Sequence, residues 1–123
     1  MPRKDAKGKW IRIQITPPRP VGETTRLRFR AHATDVTSLI VQIFDLTAMD
    51  NRHVILRDLK QGEWQTVQVD FTRDARRNDG SDGPFTTGNK VDDLFFFLEP
   101  NPGKVPDLVI DEVVLYDAGK GKP

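Results

Sequence analysis

The chain of 123 residues has no cysteine. Disulfide scaffolds, thiolate metal sites and cysteine nucleophiles are therefore excluded, while the redox compartment stays open, since a domain of this size can be secreted without disulfides. There is little excess of charge. Lys plus Arg number 19 and Asp plus Glu 18, a formal net charge of +1, which does not favour a general nucleic-acid binder; neutralising phosphates takes a large cationic excess. No apolar run approaches the ~20 residues of a membrane span. His32 and His53 are the only histidines, with no Ser or Cys motif beside them, and phosphate loops and metalloprotease spacing are both missing. Asp92-Asp93 and Asp111-Glu112 are adjacent pairs, so strand geometry sends the members of each pair to opposite faces. Neither pair alone supplies the facing carboxylates of a hydrolase. The chain reads as non-catalytic.

What is present is strand after strand. The best-marked is Gly62 to Phe71, Gly-Glu-Trp-Gln-Thr-Val-Gln-Val-Asp-Phe. Val67, Val69 and Phe71 fall on one face and Thr66, Gln68 and Asp70 on the other, the alternation of a half-buried antiparallel strand. Trp64 stands where this strand enters the fold. Trp10 to Ile15 alternates strictly, with Ile11, Ile13 and Ile15 opposite Trp10, Arg12 and Gln14; Pro17, Pro18 and Pro20 are expected to end it. From Thr25 to Ala33, Leu27, Phe29, Ala31 and Ala33 make a core face against Arg26, Arg28, Arg30 and His32. Leu39 to Thr47 sets Val41 and Ile43 against Ile40, Gln42, Phe44 and Leu46, and His53 to Leu59 would form a hairpin with it. Phe95 and Phe97 share a face of the strand Leu94 to Glu99; the core is favoured for them, with Phe96 outward, and the reverse would make them an exposed interaction patch. In the last strand, Leu108 to Tyr116, Val109, Val113 and Leu115 are placed on one face and Ile110, Val114 and Tyr116 on the other.

No stretch has helical periodicity, and residues 72–90 are too polar for a strand; loops of that length tend to be functional or mobile. Seven strands with turns and a few long crossings predict an all-β, two-sheet antiparallel β-sandwich, with a jelly roll preferred to an immunoglobulin-like arrangement, whose Cys-Trp-Cys hallmark is absent. The domain is expected over residues 10–117, between polar, disordered tails or linkers at 1–9 and 118–123. The basic N-terminus lacks the apolar segment of a signal peptide. The linker-like ends suggest a piece of a longer, exported chain, and a cytoplasmic protein is the other reading.

Taken together, Gly62 to Phe71, Leu94 to Phe97, Leu108 to Tyr116 and the middle strand Leu39 to Asp45 resemble galactose-binding-like jelly rolls, a superfamily that includes carbohydrate-binding modules of bacterial glycoside hydrolases and polysaccharide lyases. The resemblance covers about residues 27–117 and marks fold more than function. It implies a non-catalytic module that binds a polysaccharide or glycan, as accessory to a catalytic domain in a secreted bacterial protein, and it implies that Trp64 packs at the core edge. It also implies a structural calcium, with Asp111 at the acidic position of the last strand and Glu23 as a second ligand; calcium takes several hard oxygens. Without calcium, Asp111 would cap or bridge locally. The loop Asn78-Asp79-Gly80-Ser81-Asp82-Gly83 has the oxygen density of a calcium loop but not the spacing of an EF-hand; a solvated turn is preferred to a metal site.

Sugars are held by aromatic rings stacked on C–H faces and by planar polar groups bonding hydroxyls. The candidate ligand-binding residues are therefore the outward groups Trp10 and Arg12, Arg28, Arg30 and His32, and Gln42 and Phe44. If they adjoin on one sheet, the arginines favour an acidic glycan. The alternative is a structural or protein-interaction sandwich, in which the aromatics are buried and the arginines pair with acids across the ladder.

Overall fold

The computed structural model describes residues 4–7, 10–22, 24–77, 80–81 and 85–117. These form eight strands: β1 (Lys4–Lys7), β2 (Trp10–Pro20), β3 (Thr25–Thr34), β4 (Val36–Asp45), β5 (Asp50–Leu56), β6 (Trp64–Asp70), β7 (Lys90–Pro100) and β8 (Asp107–Asp117). A single helical turn, α1 (Phe71–Asp74), follows β6. Two four-stranded sheets have the orders β1-β8-β3-β6 and β2-β7-β4-β5, and every pairing between their strands is antiparallel. This is the interleaved strand order of a jelly roll. The sheets are called below the β3 sheet and the β7 sheet, after a central strand of each.

Period-2 alternation builds the core. Leu27, Phe29, Ala31 and Ala33 of β3 are wholly buried and face Leu39, Val41 and Ile43 of β4 and Leu94 and Phe96 of β7, also wholly buried. Phe29 and Phe96 meet edge to face between the sheets, with ring centroids 5.2 Å apart, an arrangement the ring quadrupoles favour. A satellite contact, Phe71 on Phe85 at 5.7 Å, pins the polar segment after β6 to the body of the domain.

Several expectations are revised. Lys4–Lys7, assigned to the tail, pairs with β8 as an edge strand, giving eight strands rather than seven. The prolines do not end β2: after a register shift between Gln14 and Arg19, Arg19 and Pro20 pair with Val91 and Lys90. β2 is an edge strand, where a missing N–H can face away from the ladder.

In β8 the faces change parity part way. Arg28 is opposite Val114 and Arg30 opposite Asp111, so Glu112 and Val113 together oppose Phe29. Glu112 has a positive φ of 52°, and this two-against-one count is a β-bulge. As a result Leu108 and Ile110 face inward before the bulge, and Val113 and Leu115 after it. The expected grouping of Val109 with Val113, and of Ile110 with Val114, fails for that reason.

The core also encloses an ionic cluster that the hydrophobic pattern does not announce. Asp45 and Arg52, at the closed end of the β4–β5 hairpin, are 0% and 2% exposed. The Asp45 carboxylate accepts hydrogen bonds from the Ala48 N–H at 3.0 Å and the Asn89 side-chain amide at 2.9 Å. Arg52 reaches Asp45 at 3.8 Å and Asp50 at 3.0 Å. Buried charges persist when they are paired and hydrogen-bonded.

Candidate functional site

Strand pairing assembles the outer face of the β7 sheet in three cross-strand rows. The first is Trp10, Phe97, Ile40 and Ile55; the second is Arg12, Phe95, Gln42 and His53; the third is Gln14, Asp93, Phe44 and Asn51. Each row runs across β2, β7, β4 and β5 in turn. The four strands bring to one surface residues 10, 42, 53 and 95, which no local motif would connect.

Aromatic rings dominate one side of this face. Trp10 is 53% exposed. Phe95 and Phe97 are half-buried and stacked, with centroids 5.6 Å apart and planes 6° from parallel. Trp10 is tilted against Phe95 at 6.4 Å. The expectation of Phe95 and Phe97 in the core and Phe96 outward is thus reversed. Phe96 shares its parity with the buried Leu94 and Leu98, and Phe95 and Phe97 share theirs with Asp93 and Glu99, so Phe96 is the ring that packs inward, against Phe29.

Polar groups border the rings. Arg12 places its guanidinium 5.7 Å from the Phe95 centroid, and its Nε donates to Asp93 Oδ1 at 2.8 Å. That hydrogen bond, together with the charge of Asp93, raises the Arg12 pKa above its ordinary value. The pair makes this part of the surface nearly neutral and fixes the planar guanidinium beside the ring. Gln42 Nε2 donates to Asn51 Oδ1 at 3.3 Å, a long bond that leaves capacity in both amides. At the β5 edge the face continues into an open groove of about 350 Å³, whose lining includes His53, Ile55, Arg57 and Arg76.

The sequence-predicted site divides in two. Trp10, Arg12, Gln42 and Phe44 share this face. Arg28, Arg30 and His32 lie on the outer face of the β3 sheet, across the whole thickness of the sandwich. The single surface expected from all seven residues does not form, because β3 belongs to the other sheet. Trp64, expected at the core edge, also lies on that outer face and is 36% exposed. It has the parity of Thr66, Gln68 and Asp70, whereas Val69 is the buried one. Phe95, Phe97, Asp93, Asn51 and His53 are among the members of the β7 face that sequence reasoning did not select. For the two rings the signal was local: Asp93 and Glu99 share their parity, and Leu94 and Leu98 the opposite one.

Of the two expected calcium ligands, Glu23 lies outside the described residues. Asp111 sits at the β8 bulge, where its Oδ1 accepts the N–H of Glu112 at 2.9 Å, and its cross-strand partner is Arg30. Among the described residues no group of three or more His, Asp or Glu gathers to hold a metal ion. Residues 78–79 and 82–83 of the acidic loop lie outside the described residues. No described helix is long and apolar enough to cross a membrane.

No family model matches the chain, and no curated protein matches it. Solved structures do. One is the family 11 carbohydrate-binding module of the cellulosomal cellulase Lic26A-Cel5E of Clostridium thermocellum, at 14% identity and a TM-score of 0.54 over 95% of this chain and 88% of that one. Another is a family 11 carbohydrate-binding module from Clostridium thermocellum in complex with a β-1,3-1,4-mixed-linked tetrasaccharide, at 14% identity and a TM-score of 0.54 over 94% of this chain and 88% of that one. At this identity the likeness is one of fold: the chain is an all-β jelly roll of the kind found in carbohydrate-binding modules.

Proposed function

We propose that this domain binds a polysaccharide or glycan chain on the outer face of the β7 sheet and does no chemistry on it. The observation that carries the proposal is the exposed platform of Trp10, Phe95 and Phe97, bordered by Arg12, Gln42 and Asn51. Flat rings receive the C–H faces of sugars, and planar amides and guanidinium bond their hydroxyls. Because Arg12 is already paired with Asp93, the face suits a neutral chain rather than an acidic one. The tetrasaccharide held by one structural neighbour makes β-1,3-1,4-glucan the first ligand to try. Asp93 stands two residues from Phe95 on β7, and its engagement by Arg12 supports a binding role over an acid–base one. Preformed but shallow sites of this kind bind weakly. Such a module fits an accessory of a catalytic domain in a longer secreted bacterial protein.

Affinity gel electrophoresis in β-1,3-1,4-glucan tests the reading. Retardation that is lost in Trp10→Ala, at an unchanged melting temperature, is the expected result. No retardation by a broad panel of neutral polysaccharides, with the fold intact, would leave a structural or protein-interaction domain in its place. The calcium called for by the superfamily resemblance belongs to the same proposal and has its own readout. A melting temperature that falls on chelation supports it, and an unchanged one removes it.

A further inference from the structure

The outer face of the β3 sheet has the opposite character. Arg26, Arg28, Arg30 and His32 follow one another along its central strand, with Asp70, Gln68, Thr66 and Trp64 beside them on β6. On β8 their neighbours are Tyr116, Val114, Asp111 and Val109. If cross-strand acids balanced this strip, the arginines would be an ordinary solvated face. They do not balance it. Arg26 is paired with Asp70 at 3.4 Å, and Arg73, at the end of β6, with Asp74 at 2.9 Å. Arg28 and Arg30 make no ion pair among the described residues. Asp111, opposite Arg30, is turned to its own bulge.

Two further observations point to a ligand. Arg26 keeps a buried Nε with no hydrogen-bond partner, beside an open polar pocket of about 270 Å³ lined by Arg26, Gln68, Asp70 and Arg73. At the other end of the strip Trp64 is exposed, with the Arg30 guanidinium 5.2 Å from its centroid and the His32 ring edge-on at 5.7 Å. From Arg26 to His32 the strip is ~20 Å long, at 3.4 Å per strand residue.

We infer that this face is a second binding surface, for an anionic polysaccharide. Guanidinium groups take carboxylate or sulfate oxygens in a planar, bidentate manner. Arg28 and Arg30 receive the acidic groups of successive sugars, the pocket at Arg26 and Arg73 receives one at the end, and Trp64 carries a sugar ring. Alternate residues on one strand stand ~7 Å apart, so the strip favours a linear chain with repeated charge over a compact anion. The near-zero net charge of the whole domain disfavours nucleic acid, whose binding draws on a broad cationic field.

Affinity gels containing polygalacturonate, dextran sulfate or neutral β-1,3-1,4-glucan test this on the intact chain. Retardation by either anionic polymer at low salt, weakening as salt rises, is expected. Polygalacturonate alone assigns a carboxylate, dextran sulfate alone a sulfate, and both support the surface. The double variant Arg28→Gln/Arg30→Gln should bind the anionic polymer about tenfold more weakly, equal to 1.4 kcal/mol, at an unchanged melting temperature and with unchanged glucan retardation. Should that variant not fold, Trp64→Ala replaces it and should lose severalfold on the anionic gel. The inference is overturned if neither anionic polymer retards the protein at low salt, if these variants bind as well as the parent, or if Trp10→Ala abolishes anionic binding. A single-stranded oligonucleotide of matched charge that displaces the polymer also overturns it. Glucan retardation on parallel gels reports separately on the β7 face.

Discussion

The two outer faces of this sandwich are made by the same rule and end up with opposite chemistry. Both sheets alternate inward and outward side chains, and both bury an aliphatic and aromatic inner surface. On the β7 sheet the outward positions include rings and amides, and the arginine beside the rings, Arg12, is held by Asp93. On the β3 sheet the outward positions of the central strand include Arg26, Arg28, Arg30 and His32, and two of these arginines lack an acid partner among the described residues. The strands differ to match. β7 is apolar on both sides at Phe95–Phe97, whereas β3 is strictly amphipathic. The stacked phenylalanines stand on one sheet and the two arginines without a described acid partner on the other, and each sheet carries one exposed tryptophan.

The largest expected effect tests what the faces share. Phe96→Ala empties the contact with Phe29 between the sheets and should cost about 3–5 kcal/mol, measured as a fall in denaturant midpoint. Both binding activities should then fail together as the domain unfolds. Loss of only one would show that the faces do not depend on a common core.

Next, Phe95→Ala separates the faces. It removes the ring that Trp10, Arg12 and Phe97 all touch, and should weaken glucan binding about tenfold, or 1.4 kcal/mol, with anionic retardation unchanged. Equal losses on both gels would contradict the division. Gln42→Ala is a milder probe of the same face. It removes an amide from beside the rings and should cost about 1 kcal/mol of glucan binding, read by titration calorimetry, with little change in stability.

The smallest effect belongs to the rim of the β3 face. The hydrogen bond from Arg73 holds the Asp74 carboxyl below its ordinary value of 3.8. A lowered folded-state pKa contributes stability above the ordinary value, and that contribution is lost as pH falls through the folded one. The pair is exposed, so Asp74→Asn should remove less than about 1 kcal/mol at neutral pH and nothing in strong acid. Denaturant midpoints against pH check the sign. A loss that persists in acid would mean that Asp74 acts by some route other than its charge.

Local pattern carried much of this molecule. The inward faces of β2, β3 and β4 follow directly from Ile11, Ile13 and Ile15, from Leu27 to Ala33, and from Val41 and Ile43. Trp10, Arg12, Gln42 and Phe44 were legible as outward groups for the same reason. Three features escaped. The parity of Phe95–Phe97 is set only by its flanks, with Leu94 and Leu98 inward beside Phe96 and Asp93 and Glu99 outward beside the other two. Glu112 inserts an extra residue and reverses the alternation of β8. Asp45 and Arg52 are polar residues at inward positions, stabilised by partners as distant in sequence as Asn89.

Alternation along a strand is a short-range property, set by the pleat, so the amino-acid sequence by itself determined that this is an all-β protein and which side chains within most strands oppose one another. It carried no information about which strands would be neighbours. Pairing β2 with β7, and β3 with β6 and β8, is a long-range choice made by closing one shared core. That closure put Arg28, Arg30 and His32 on the far side of the sandwich from Trp10, and turned seven candidate residues into two different surfaces.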